Sequence, residues 1–223
     1  REVSGDDVVR AILCLEVDLL WNGGIGTFVK AIEETHASVG DLGNDAVRID
    51  GRDLRAQVVA EGGNLGFTQR GRVEYALHGG RLNSDAIDNS AGVDMSDHEV
   101  NLKICLAAAV ESRLLTADER NRLLADLEPD VTQRVLSHNR RQARILSHDQ
   151  WRSQSRLDLF RDHVSALEAA GFIDRRLAEL PEREALRNRR ATFLGLTRPE
   201  LAVLLAHSKL ALQHELLESS LPD

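Results

Sequence analysis

The chain has 223 residues, 42% hydrophobic and 29% charged, the balance of an average globular protein, which excludes wholesale disorder and leaves room for one large domain or two small ones. A formal net charge of −8 argues against a general nucleic-acid binder, whose affinity would come from clustered Lys and Arg. No apolar run approaches the ~18 residues of a membrane span, and no secretory leader is visible, so the chain reads as soluble and cytoplasmic with no membrane partner.

Two kinds of sequence meet near residue 100. Residues 1–100 carry 9 Lys and Arg against 18 Asp and Glu and hold 14 of the 16 glycines, whereas all four prolines come later. The chain opens at Arg1 rather than Met, and we expect it to be cut from a longer polypeptide. Cys14 and Cys105 sit in apolar helix-like stretches and read as small buried thiols rather than a disulfide.

In chain order, Ser4 or Asp6 can cap a helix carrying Val8, Val9, Ile12 and Leu13, which feeds a buried strand at 17–21 stopped by Asn22-Gly23-Gly24. Residues 28–37 predict a second helix, and Val47-Arg48-Ile49 before Asp50-Gly51 one arm of a small hairpin. A buried strand follows at 57–60, closed by Gly62 and Gly63. Next comes a helix from about Thr68 to His78 ending at Gly79-Gly80, then a third short strand at 86–88. Strands alternating with helices imply parallel pairing with helical crossovers, an α/β fold with few strands.

From Ser96 onward the pattern is helical. Ser96-x-x-Glu99, Thr116-x-x-Glu119 and Thr197-x-x-Glu200 each have the form of a capping box, in which hydroxyl and carboxylate satisfy otherwise orphan backbone N–H groups. The first predicts a helix with Val100, Ile104, Ala107 and Ala108 on one face, and the second a helix ending near Pro129. Further helices are expected at about 130–147, 151–170 and 174–190, and a last one with Pro199 in its first turn.

The glycine clusters are the strongest chemical signal. Asn22-Gly23-Gly24-Ile25-Gly26-Thr27 follows a strand but matches neither G-x-G-x-x-G nor the P-loop, so a tight turn is favoured over a phosphate cradle. Glu61-Gly62-Gly63-Asn64 stands at the carboxyl end of a strand, where open α/β sheets place ligands. Asn64 offers a donor and an acceptor to a ribose or a carboxamide, and equally suits a turn residue in a left-handed conformation. The same two readings hold for Asn89. Ser96 is explained by its capping box, and a helix N-terminus is also a good place to hold a substrate carboxylate. The eight histidines are scattered singly without zincin-type spacing, so no metal is expected, and no G-x-S-x-G marks a serine hydrolase. Arginine-rich stretches near 140, 175 and 187–190 are interleaved with acids and apolar residues, as on solvated helix faces or subunit contacts.

Three segments, Asp18-Leu19-Leu20-Trp21-Asn22-Gly23-Gly24-Ile25-Gly26-Thr27, Val59-Ala60-Glu61-Gly62-Gly63-Asn64-Leu65-Gly66-Phe67-Thr68 and Ile87-Asp88-Asn89-Ser90-Ala91-Gly92-Val93-Asp94-Met95-Ser96, resemble the large bacterial NAD-specific glutamate dehydrogenases. Gly195-Leu196-Thr197-Arg198-Pro199-Glu200-Leu201 is similar to the helical region that follows their catalytic part. Glu61, Gly62 and Asn64 match the family's Glu-Gly-Ala-Asn turn, with Gly63 replacing alanine. Asn89, Gly92 and Val93 match its Asn-Ala-Gly-Gly-Val turn, with Ser90 and Ala91 departing, and Asp97 stands where many relatives carry an aromatic residue.

The resemblance implies the second half of a Rossmann-type NAD domain over 1–112, a partial parallel sheet, followed by a helical domain over 113–223. It implies that Gly62, Gly63, Asn64 and Asn89 belong to the NAD site and that Ser96 binds the side-chain carboxylate of glutamate. The parent would deaminate L-glutamate oxidatively to 2-oxoglutarate and ammonia as a homo-oligomer. The family's phosphate turn, ribose-binding acid and catalytic Lys and Asp have no match here, so the piece alone is expected to be inactive. The alternatives are a non-catalytic assembly or regulatory module, and a dehydrogenase for another amino acid.

Overall fold

The computed structural model describes residues 3–192 and 194–221; the outer ends of the two predicted domains, at 1 and 223, lie outside them. The chain is mostly helical with a small parallel sheet arrangement. Helix α1 (Gly5–Leu13) is capped by Ser4, whose hydroxyl accepts from the Asp7 backbone N–H at 3.1 Å. None of its residues is buried: Val8 and Ile12 are about half exposed, while Leu13 packs partly buried against the apolar cluster around the strands.

Strand β1 (Leu19–Asn22) leads to a short strand β2 (Val29–Lys30), a one-turn helix α2 (His36–Val39) and strand β3 (Ile49–Asp50). The helix predicted at 28–37 is therefore corrected. Val29, 1% exposed, enters the core as a strand residue beside Ile49, and Thr35 starts the helix only afterwards. Val47-Arg48-Ile49 is not a hairpin arm either, because β3 pairs with β2 in parallel. Strand β4 (Val58–Glu61) pairs in parallel with β1, in the register Leu19↔Val58 through Asn22↔Glu61.

Helix α3 (Gln69–Leu77) is capped by Thr68 and leaves through Gly79 at φ +95, as its Gly-Gly stop signal predicts. The third strand predicted at 86–88 is instead helix α4 (Asp85–Asp88). Its place beside β4 is taken by Arg81, which accepts from Val59 N–H at 2.8 Å and donates to the Gln57 carbonyl at 3.1 Å.

Helix α5 (Ser90–Glu111) starts six residues before the predicted capping box. The Ser96 hydroxyl donates to the Val93 carbonyl at 2.9 Å and Glu99 pairs with Lys103, so Ser96 is a second-turn residue and caps nothing. No residue of α5 is buried, and Val100 and Ile104, on the apolar face read from the sequence, are 53% and 66% exposed. Cys105 is exposed with it and Cys14 is half-buried, which corrects the reading of two buried thiols.

Helix α6 (Ala117–Ser155) opens on the predicted Thr116/Glu119 box and runs straight through Pro129. A proline removes one hydrogen bond and frees the carbonyl four residues earlier, that of Ala125; this turn is exposed, so water can satisfy it. The break comes at Arg156, before α7 (Leu157–Ala169). The helix predicted at 174–190 is reduced to α8 (Arg183–Ala191), preceded by a turn, and α9 (Arg198–Leu217) starts on the Thr197/Glu200 box with Pro199 in its first turn.

One apolar core joins Val29, Ile49, Val59, Phe67, Tyr75 and Leu82 around the strands and α3. A second, built on α6 to α9, includes Leu146, Phe160, Leu186, Leu201 and Leu204, and also takes in Ile87 of α4. Arg198 ties the two together, donating to Asn83 Oδ1 at 2.8 Å, to Ser147 Oγ at 2.8 Å and to the Ala143 carbonyl at 3.2 Å.

Candidate functional site

Parallel pairing of β1 and β4 brings their carboxyl ends side by side, and with them the two glycine turns. The Gly62 and Gly63 N–H groups both donate to the Asn22 carbonyl, at 2.9 and 3.0 Å. Gly62 runs under the exposed Trp21 ring and Gly63 against the Gly24 carbonyl, so it is Gly63 that the close packing of one loop on the other requires.

Beyond them Leu65 is held in the left-handed region at φ +57, which a non-glycine residue adopts only under constraint. The constraint is visible: its N–H donates to Asp85 Oδ2 at 2.8 Å and its carbonyl accepts from the Thr27 hydroxyl at 2.8 Å. The Asn22–Thr27 loop is anchored from behind. Arg48, whose side chain is wholly buried, donates to the Thr27 carbonyl at 2.8 Å, and Asp41 accepts from the Thr27 N–H at 2.8 Å. The Thr27 N–H bond first, then the Asn44 amide and, more weakly, the Arg48 charge hold the Asp41 carboxyl below the usual carboxylate range.

Glu61, the last residue of β4, is fully buried. Both of its oxygens accept from Arg72 of α3, at 2.7 and 2.8 Å. Burial pushes the Glu61 carboxyl up and the Arg72 guanidinium opposes that shift. Arg72 also lies 3.2 Å from Asp85, and Asp88 accepts from the Glu61 N–H at 3.0 Å. A continuous polar chain thus links the end of β4 to α4 and fixes the separation of the two asparagine turns. Sequence reasoning missed Arg48 and Arg72, whose partners lie far along the chain or on other elements.

At the end of that chain Asn89 donates its amide directly to Asn64 Oδ1. The bond leaves the Asn64 amide as a donor and Asn89 Oδ1 as an acceptor, the pair a carboxamide requires. They border a cleft of about 570 Å³ whose other walls include Val93 and Asp94 of α5, His138, Arg141 and Gln142 of α6, and Lys209 of α9. Arg141 and Lys209 supply positive charge suited to a phosphate or carboxylate. Ser96 is exposed and does not line this cleft, although Val93 and Asp97 beside it do. The structure brings Asn64 and Asn89 together and leaves Ser96 at the edge.

The structure also assembles a group that spacing alone did not predict. Asp94 and His98, one turn apart on α5, meet His138 of α6, with His138 Nδ1 2.9 Å and His98 Nε2 3.5 Å from the two Asp94 oxygens. The signal was the i, i+4 pair; its third member lies 44 residues from Asp94 and carries no local mark.

Among the described residues, no helix is long and apolar enough to cross a membrane. A family model for the catalytic domain of bacterial NAD-glutamate dehydrogenase matches residues 1–149, and one for the C-terminal part of glutamate dehydrogenase matches residues 194–223. The NAD-specific glutamate dehydrogenases of Halomonas elongata and Pseudomonas aeruginosa are each 50% identical to the chain, over 222 and 217 residues, and that of Mycobacterium tuberculosis is 46% identical over 222. These matches take in 97% to 100% of this chain but only 13% to 14% of each relative. With a domain model covering two-thirds of its length and such relatives along nearly all of it, the chain belongs to the bacterial NAD-glutamate dehydrogenase family.

Proposed function

We propose that this chain forms part of an enzyme that oxidatively deaminates L-glutamate to 2-oxoglutarate and ammonia with NAD, and that it supplies the wall of the active site facing the nicotinamide. The observation that carries the reading is the contact between Asn64, in the turn after β4, and Asn89, at the junction of α4 and α5, with both residues lining one cleft. Family membership supports NAD as cofactor and glutamate as substrate. The Rossmann-type architecture, the division into 1–112 and 113–223, the cytoplasmic location and the homo-oligomeric state belong to the same proposal. Two separate cores support the division, although Ile87 packs with the second.

In this reading NAD supplies hydride acceptance at the nicotinamide ring. Asn64 and Asn89 orient the carboxamide, Gly62 and Gly63 keep the wall thin enough for the ring to approach, and Ser96, at the edge of the cleft with its hydroxyl on the Val93 carbonyl, is assigned to the substrate carboxylate on the family resemblance alone. In the full-length protein, Asn64→Ala and Asn89→Ala are expected to raise the KM for NAD about 3- to 10-fold each, the scale of one lost hydrogen bond, with little change in the KM for glutamate. Ser96→Ala is expected to raise the KM for glutamate selectively. Unchanged KM for NAD in both asparagine variants would overturn the site assignment.

A further inference from the structure

We infer that Asp94, His98 and His138 form a binding site for a divalent transition ion of the zinc class, stapling α5 to α6 at the rim of the cleft. The three donors come from two elements that pack together, α5 and α6, and one ligand atom from each lies within 4.8 Å of the others. Zinc bound tetrahedrally at 2.0–2.2 Å from nitrogen and oxygen sets its ligand atoms on the order of 3.4 Å apart. His98 Nε2 lies 3.5 Å from one Asp94 oxygen and His138 Nδ1 2.9 Å from the other, so the two nitrogens flank the carboxylate and small side-chain rotations bring all three donors onto one ion. The imidazole rings lie 6.3 Å apart, inclined by only 27°, with their nitrogens turned to the same carboxylate.

The donor chemistry selects the ion. Two imidazoles and one carboxylate favour zinc, cobalt, nickel or copper over magnesium or calcium, which prefer all-oxygen shells. The side chains are 28% to 47% exposed, so the ion has an entry path. Three protein ligands leave a fourth position open. Asp94 and His138 line the cleft whereas His98 does not, so an ion held by the three stands at the cleft's rim, where water can complete its shell. Ion binding does not depend on which nucleotide or amino acid the cleft takes.

A bland alternative is that Asp94 merely hydrogen-bonds His138 to hold the helices together. The two separate on His138→Asn, whose amide can still donate to Asp94 but which is a poor zinc ligand. The experiment is calorimetric titration of metal-stripped full-length protein with Zn²⁺, paralleled by Co²⁺ titration read in the visible spectrum. We expect His98→Ala, His138→Ala and His138→Asn each to weaken one Zn²⁺ equivalent per chain by about 100-fold or more and to abolish the corresponding tetrahedral Co²⁺ bands. His148→Ala, also on α6 but outside the triad, keeps both. Equal stoichiometry and spectra in the wild-type protein and His138→Asn would overturn the proposal, as would the absence of any ion bound by the wild-type protein.

Discussion

The backbone of Gly63 passes so close to Gly24 that a Cβ at residue 63 would lie 2.2 Å from the Gly24 carbonyl oxygen. Such a contact cannot be relieved by turning a flexible side chain, because the obstacle is itself backbone. Gly63→Ala must therefore push the two glycine turns apart, at a cost of about 1–3 kcal/mol of stability. It is expected to raise the KM for NAD as well, by displacing Asn64. Gly24→Ala is the control: a Cβ there meets nothing within 4 Å, and its stability is expected to stay within about 0.5 kcal/mol of wild type. Urea denaturation of the two variants checks the difference.

The buried Glu61–Arg72 pair makes the second prediction. Removing one partner strands the other charge in a site closed to solvent, so Arg72→Ala is expected to cost about 3–5 kcal/mol. Arg72→Lys keeps the charge but not the two-pronged geometry and is expected to fall between wild type and alanine. Arg72 also faces Asp85, which holds Leu65 in its strained conformation. The loss should therefore reach Asn64, and cofactor affinity should weaken in step with stability. Arg72→Lys with unaltered affinity would break that connection.

Asp41 gives a pH dependence. Its carboxyl titrates below its ordinary value of 3.8 when folded, because it accepts from Thr27 N–H and from Asn44. The folded state then binds fewer protons than the unfolded one as pH falls. The stability Asp41 contributes is complete above its unfolded pKa and is lost as pH drops through the lowered folded value. Asp41→Asn is expected to be less stable than wild type near neutrality and to lose that deficit progressively below pH 4. A deficit constant from neutrality to pH 3 would show that the charge is irrelevant to the Asn22–Thr27 loop.

What could be read from the sequence follows the range of the interaction involved. Ser4, Thr68, Thr116 and Thr197 act within three residues of their partners, and each caps the helix predicted for it. The same local logic misleads at Ser96, since nothing in Ser96-x-x-Glu99 shows that α5 has already begun at Ser90. Pro129 fails as a stop signal because its exposed turn can leave one carbonyl to water. Asn64 and Asn89 converge although the strand predicted before Asn89 is helix α4, because Asp88 accepts from the Glu61 N–H and docks α4 at the end of β4. The buried arginines and the Asp94–His98–His138 group are not legible in the sequence, because their partners are chosen by tertiary packing, which leaves no periodic trace.

Glu200 shows both kinds of interaction on one carboxylate. At 1% exposure it accepts from the Thr197 N–H at 2.7 Å and the Thr197 hydroxyl at 2.7 Å, closing the predicted box. It also accepts from Arg189 of α8, at 2.6 and 2.8 Å. Thr197→Ala removes only the hydroxyl's share and is expected to cost about 1 kcal/mol, the usual scale of a helix cap. Glu200→Ala leaves Arg189, only 11% exposed, with no carboxylate to meet, and is expected to cost about 3 kcal/mol or more. If the carboxylate acts through Arg189, adding Arg189→Ala to Glu200→Ala should cost much less than the single changes summed, since either one already breaks the pair. Additive losses in urea denaturation would instead confine Glu200 to capping α9 and remove its role in docking α8.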